Sequence, residues 1–252
     1  MKKIYIIVIV FSCLLVFAVT AYLVYKKFSD KQYSSKTFDN NHACIARRIV
    51  QDKSEAQAFT EIYDKNVWGK GSGPGSDPQQ AKVYLPFLQK YLNNPAMHSI
   101  LDLGCGDWQL MSTLTIPDSK VYTGFDLVKS VIEENIKKHK KNNVNFQLIH
   151  NILDFQSQHG DLLVVKDVIQ HWPNDQIQYL LKNILPNFKY ALITNDFKPS
   201  NSNQDIKFGD FRCIDLQAVP FNVGKEFQVV FDYPSAGIVK RVYLYTNPAS
   251  SK

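Results

Sequence analysis

From residue 99 onward, short apolar runs alternate with longer amphipathic stretches, and turn residues separate them. Ser99–Leu103, with Ile100, Leu101 and Leu103 apolar, reads as a buried strand, and Val121–Phe125 closing on Asp126 reads as a second. Lys129–Lys141 has helical spacing, and its cationic run from Lys137 sits where a helix C-terminus favours positive charge. Strands are predicted at Val144–His150, Asp161–Lys166 and Tyr190–Asn195, and a helix at Asp175–Leu185. Phe227–Tyr233 and Ile238–Tyr245 read as an antiparallel pair around Pro234-Ser235-Ala236-Gly237. Upstream, Asp52–Val67 and Gln79–Leu92 have helical spacing. Between them, residues 68–78 hold four glycines and two prolines, which breaks any regular element. This alternation predicts an α/β fold with a seven-stranded, mostly parallel, doubly wound sheet whose last strand is antiparallel, preceded by one N-terminal transmembrane helix.

That helix is Ile4–Tyr25, 22 residues without a charge. As a helix it spans about 33 Å, enough to cross a bilayer core. A secretory signal has an apolar region of about 7–15 residues, so the longer run favours an uncleaved anchor. Lys26, Lys27, Lys31 and Lys36 outnumber Lys2 and Lys3, which places the C-terminal domain on the cytoplasmic side of a single-pass protein. The expected organisation is an anchor over 1–27, a juxtamembrane tether over 28–52 and a globular domain over 53–252. Residues 1–48 hold eight Lys and Arg against two Asp, which accounts for the whole formal charge of +6. The remaining domain is neutral and lacks the basic footprint of a nucleic-acid binder. Cys13, Cys44, Cys105 and Cys213 show no C-x-x-C pair and no metal-ligand spacing, so reduced thiols and no metal are expected.

The candidate chemistry lies where the first of these strands ends. Ser99-Ile-Leu-Asp-Leu-Gly-Cys-Gly-Asp107 delivers a glycine turn to the sheet edge, and Asp126 follows 22 residues after Gly104. Open α/β sheets bind ligands at that edge. Gly104 and Gly106 let backbone approach a ligand closely, and Asp126 can accept both hydroxyls of a ribose. A dinucleotide fingerprint needs G-x-G-x-x-G, but Gln109 stands at the third glycine and Asp107 would repel a pyrophosphate. S-adenosylmethionine, with a cationic amino-acid end, is the favoured cofactor. The glycine run ahead of Gln79 is either a flexible linker or a contact to the cofactor's carboxylate through backbone N–H groups at a helix start.

Several motifs recur in order: Trp68-Gly69 with Gly71–Ser76, Asp102–Gln109, Lys166–Trp172, Leu192–Asn195 and Arg212–Phe221. With them, the chain from about Phe59 to Asn247 resembles a branch of small proteins among the class I, Rossmann-like S-adenosylmethionine-dependent methyltransferases. The resemblance implies that Asp102, Gly104 and Gly106 hold the methionine and ribose end of the cofactor. It implies Asp126 on the ribose, Leu127 against adenine, and His150 or, preferably, Asn151 at the adenine amine. Trp68, Gly71, Gly73 and Ser76 form an expected lid, and Lys166 joins the cofactor site. Asp167 and His171, four residues apart and on one face if that stretch is helical, are the candidates for acceptor binding or general base. Arg212 and Asp215 are expected to form a structural ion pair. The membrane segment departs from the branch.

The leading expectation is therefore a membrane-anchored methyltransferase acting on a small-molecule, lipid-linked or membrane-proximal acceptor. The alternatives are a catalytically inactive cofactor-binding adaptor at a membrane and a tethered protein methyltransferase. Lys166-Asp167-Val168-Ile169 stands where amide and base methylators carry an Asn-Pro-Pro-Tyr-type signature, which disfavours nucleic-acid acceptors.

Overall fold

The computed structural model describes residues 54–251 except Lys70. The expected anchor and tether lie outside the described residues. Among the described residues no helix is long and apolar enough to cross a membrane.

Helix α1, Glu55–Asp64, opens with a capping box: Ser54 and Gln57 each accept the other's backbone N–H through their side chains. The glycine-rich run that follows contains a single short 3-10 turn, Pro74–Ser76. Helix α2 spans Tyr84–Asn93 and starts later than the apolar spacing predicts. The Asp77 carboxylate accepts Gln79 N–H at 2.9 Å. The Asp77 carbonyl then accepts Gln80 N–H, so the first residues of the pattern close turns instead of helix.

Strands β1 (Ser99–Leu103), β2 (Val121–Asp126), β3 (Val144–Leu148), β4 (Gly160–Lys166), β5 (Phe188–Phe197), β6 (Phe227–Ser235) and β7 (Ile238–Thr246) form one sheet in the order β3-β2-β1-β4-β5-β7-β6. β1 to β5 pair in parallel. β7 is inserted between β5 and β6 and runs against both. The β6–β7 turn uses Ala236 and Gly237, both at positive φ, as a two-residue hairpin requires. Helix α3, Lys129–His139, connects β2 to β3. Helix α4, Asn174–Tyr179, widens into a π turn over Leu180–Ile184 and closes as a 3-10 turn at Leu185–Asn187. Pro186 explains that end, because its ring and missing N–H cannot continue the α-helical ladder.

Alternation along the strands sends side chains to two cores. Leu101, Leu103, Leu163, Val165 and Ile193 pack with Ile62 of α1 and Ile177 of α4. Ile100, Leu162, Val164 and Leu192 pack on the other face with Tyr84, Leu88 and Leu92 of α2. The strand order reverses between β1 and β4. The C-terminal ends of those strands, with that of β2, therefore open a crevice where ligands bind in sheets of this kind.

Candidate active site

The turn after β1 is stitched to its neighbour. Gly104 N–H and Cys105 N–H both donate to Phe125 C=O, at 2.8 and 3.0 Å. Gly104 has φ +75, and a Cβ there would lie 2.4 Å from a Val168 methyl, so both conformation and space require glycine. At the end of β2 the buried Asp126 carboxylate accepts Gly106 N–H and Val128 N–H, each at 3.0 Å. Burial raises its pKa, and the two donors oppose that rise.

Ser72 pins the glycine-rich loop over this turn. Its N–H and hydroxyl donate to the two Asp107 oxygens, at 3.2 and 2.9 Å. The same hydroxyl oxygen accepts Asp107 N–H at 2.8 Å and lies 2.7 Å from the Tyr63 hydroxyl. Gly71 has φ +61, and a Cβ there would lie 1.8 Å from Asp107 Oδ2. Asp107, expected to face the cationic end of a cofactor, is thus occupied by the loop. Gly73 lies under Trp68, whose ring packs 5.6 Å from Tyr63 and 4.9 Å from His171.

Beneath the loop lies a charge network at the ends of β4, β5 and β7. Lys166 Nζ donates to Gly75 C=O at 2.7 Å and to Asp167 Oδ2 at 2.5 Å. Lys240 Nζ bridges Asp167 Oδ1 and Asp196 Oδ1, both at 2.7 Å. Burial alone would raise the Asp167 carboxyl pKa, but the two ammonium groups outweigh it and hold it well below the usual carboxylate range. Burial likewise depresses Lys166, whereas Asp167 and Asp196 overcome burial at Lys240 and raise it. Asp167 has φ +60 and precedes the 3-10 turn Ile169–His171. It does not share a helical face with His171, because the chain turns at Asp167 before any helix forms.

His171 is buried, and its Nδ1–H donates to Asp210 C=O at 2.9 Å, which leaves Nε2 as the basic nitrogen. Burial lowers its pKa to about 4. The unfolded chain takes up this proton as pH falls below about 6.5, while the folded chain stays neutral until about 4. Stability is therefore lost across that window, by up to about 3 kcal/mol. Glu55, whose pKa burial raises to about 7, has the opposite sign, because the folded state takes up its proton first as pH falls. Comparing wild type with His171→Gln by urea unfolding at pH 7 and 4.5 separates the two. We expect the wild type to lose its advantage over the variant at pH 4.5, and an unchanged difference would refute the assignment.

These elements enclose a cavity of about 700 Å³, open to solvent at its mouth. Its floor is Leu103, Gly104, Gly106, Asp126 and Leu127. One side is Ile149, Ile152 and Val168, and the other is Lys166, Asp167, His171 and Trp172. Glu55, Phe59, Tyr63, Trp68, Ser72 and Ser76 close it from α1 and the loop. A smaller cavity of about 380 Å³ lies on the far side of the turn. It shares Gly104, Ser76 and Lys166 and adds Asp102, whose carboxylate accepts the Tyr122 hydroxyl at 2.6 Å.

Solved structures share this arrangement of strands and helices. The DhpI–SAH complex aligns with a TM-score of 0.54 at 13% identity, covering 77% of this chain and 96% of that one. A SAM-dependent methyltransferase from Anabaena variabilis aligns with a TM-score of 0.52 at 15% identity, covering 77% and 96%. The plantazolicin methyltransferase BpumL in complex with SAH aligns with a TM-score of 0.51 at 15% identity, covering 86% and 99%. The chain has the class I methyltransferase fold. No protein-family model and no curated protein sequence matches it.

Within this methyltransferase fold, Trp68, Ser76, Gly104, Gly106, Asp126, Leu127, Lys166, Asp167 and His171 converge on the main cavity, and Asp102 on its smaller neighbour. Gly71 and Gly73 line neither; they shape the loop. Asn151 lines neither, and its side chain caps the 3-10 turn Ile152–Phe155 by accepting Leu153 N–H at 2.8 Å. His150 points instead to Asp154. Ile149 and Ile152 take the cavity positions beside them. Arg212 donates to Trp172 C=O and to Asn174 Oδ1, at 2.7 and 2.8 Å, rather than to Asp215, which accepts Gln217 N–H. The guanidinium therefore fastens the turn carrying His171 and Trp172. Sequence reasoning missed Glu55, Phe59 and Tyr63. Their i, i+4, i+8 spacing on α1 was the available signal, since it puts all three on one helical face.

Proposed function

We propose that this protein binds S-adenosylmethionine and transfers its methyl group to a small-molecule acceptor in the cavity over β1, β2 and β4. The observation that carries this reading is Asp126. Its carboxylate is fixed by Gly106 and Val128 at the end of β2 and opens on a cavity with an aliphatic shelf of Leu127, Ile149 and Ile152. A carboxylate beside an apolar slot suits a ribose with an adenine stacked beyond it. The glycine turn and the acid would hold the nucleoside, and Asp102 and Lys166 would face the amino-acid end. The bound sulfonium supplies an already activated methyl group, so this chain's task is to orient the acceptor and exclude water. The Trp68 ring and the pinned loop over the mouth serve that exclusion. His171, neutral near pH 7, can accept a hydrogen bond or a proton at Nε2. The fold shared with solved methyltransferases supports the same reading. The apolar segment Ile4–Tyr25 would hold the domain at the cytoplasmic face of a membrane.

Calorimetry on the full chain with S-adenosylhomocysteine tests the cofactor. We expect one site per chain and a rise in unfolding temperature with ligand, as linkage demands. A folded protein that does not bind it would remove the basis for the proposal.

A further inference from the structure

The α1 side of the cavity is distinctive. Glu55 and Phe59 stand one helical turn apart on α1, and both line the cavity with Tyr63, Trp68 and Trp172. Phe59 and Trp68 have ring centroids 6.2 Å apart. Trp172 and Phe59 are buried, and Trp68 is half-buried. Glu55 is half-buried, and its described polar contact is the Gln176 amide at 3.5 Å from each oxygen, the longest range at which such a bond holds. Of the other acids on the cavity wall, Asp167 is held by two lysines and Asp126 by two backbone N–H groups. Glu55 is thus a weakly partnered acid among aromatic rings. Partial burial raises its pKa to about 7.

We propose that Glu55 and the rings of Phe59, Trp68 and Trp172 form the subsite for the ammonium group of an amine acceptor. The inference rests on the methyltransferase reading. A cation over aromatic faces is attracted by their quadrupoles, most strongly by Trp and in a desolvated site, and the carboxylate supplies the opposite charge. An ammonium bound there gives one N–H proton to Glu55. The freed lone pair forms the new N–C bond to the methyl carbon as the C–S electron pair stays on sulfur. Glu55 lines the cavity with Phe59, Trp68 and Trp172, so its carboxylate is the group beside the ammonium that can take this proton.

The test uses the full chain saturated with S-adenosylhomocysteine and two probes of equal shape, choline and its neutral isostere 3,3-dimethyl-1-butanol. Calorimetry or tryptophan fluorescence reads binding. We expect choline to bind about tenfold more tightly, a ratio within the range of a desolvated cation–π site. Glu55→Gln should reduce that preference at least about threefold while binding S-adenosylhomocysteine within about twofold of wild type. Phe59→Leu, which keeps apolar volume, should reduce the preference about threefold. No preference in wild type, or a preference undiminished in Glu55→Gln, overturns the inference. Loss of S-adenosylhomocysteine binding in Glu55→Gln alone assigns the carboxylate to the cofactor and also overturns it. Wild type that fails to bind S-adenosylhomocysteine overturns the methyltransferase reading and this inference with it.

Discussion

Lys240→Met will destabilise the domain by about 3–5 kcal/mol, the range measured when one partner of a buried ion pair is removed. Lys240 is 3% exposed and is held by Asp167 and Asp196 at 2.7 Å each. Methionine fills much of the same volume, so the loss reports charge rather than a cavity. The two acids will not suffer equally. Asp167 keeps Lys166, whereas Asp196 keeps only the Gln170 amide at 3.0 Å among its described side-chain partners. Burial already raises the Asp196 carboxyl pKa. In the variant this carboxyl will bind its proton in the folded state at a pH where the unfolded chain does not. The variant should therefore recover stability, relative to wild type, as pH falls from 7 toward 5. Urea midpoints at both pH values measure this. A loss below about 1 kcal/mol at pH 7 would mean that water or relaxation satisfies the two acids without Lys240.

Asp126→Ala will weaken S-adenosylhomocysteine binding by about a hundredfold. Two charge-assisted hydrogen bonds to ribose hydroxyls are worth about 3 kcal/mol together, and 1.4 kcal/mol is a factor of ten. The substitution also strips Gly106 N–H and Val128 N–H of their acceptor, so some stability will be lost with the affinity. Asp126→Asn separates the two effects, because its amide oxygen still accepts one of those N–H groups. It should fold like wild type and bind at least about tenfold more weakly. Calorimetry with a circular-dichroism check on folding decides the matter. Unchanged affinity in a folded Asp126→Ala protein would remove this acid from the ligand's contacts.

The sheet was legible because its strands are apolar runs of ordinary length bounded by glycine and polar turns. Each core strand from Ser99 to Phe197 lies within a few residues of its predicted range. The glycine turn was legible for a stronger reason: Gly104 adopts a φ that other residues resist and leaves no room for a Cβ. The sequence pattern is least informative where side chains compete with backbone. Asp77 turns the start of a helical pattern into a loop, and the Asn151 side chain caps the turn Ile152–Phe155.

What the sequence determined by itself was the order of elements, the placing of the glycine turn and the acid at strand ends, and the apolar segment ahead of them. Local pattern and local backbone chemistry suffice for these. Only the tertiary structure decided which charges meet. Periodicity along β7 gives no reason to bury Lys240 beside a Val239 that is 43% exposed. Burial follows because β7 is inserted against β5, which sets Lys240 opposite Asp196 and brings Asp167 to the same ammonium. Likewise Glu55 reads as an ordinary first-turn acid of a capped helix. It becomes a candidate for chemistry only when α1 packs beside the crevice and brings it to the same cavity wall as Phe59, Trp68 and Trp172. Burial and long-range pairing set the energy of a charge, and neither is written in the residues beside it.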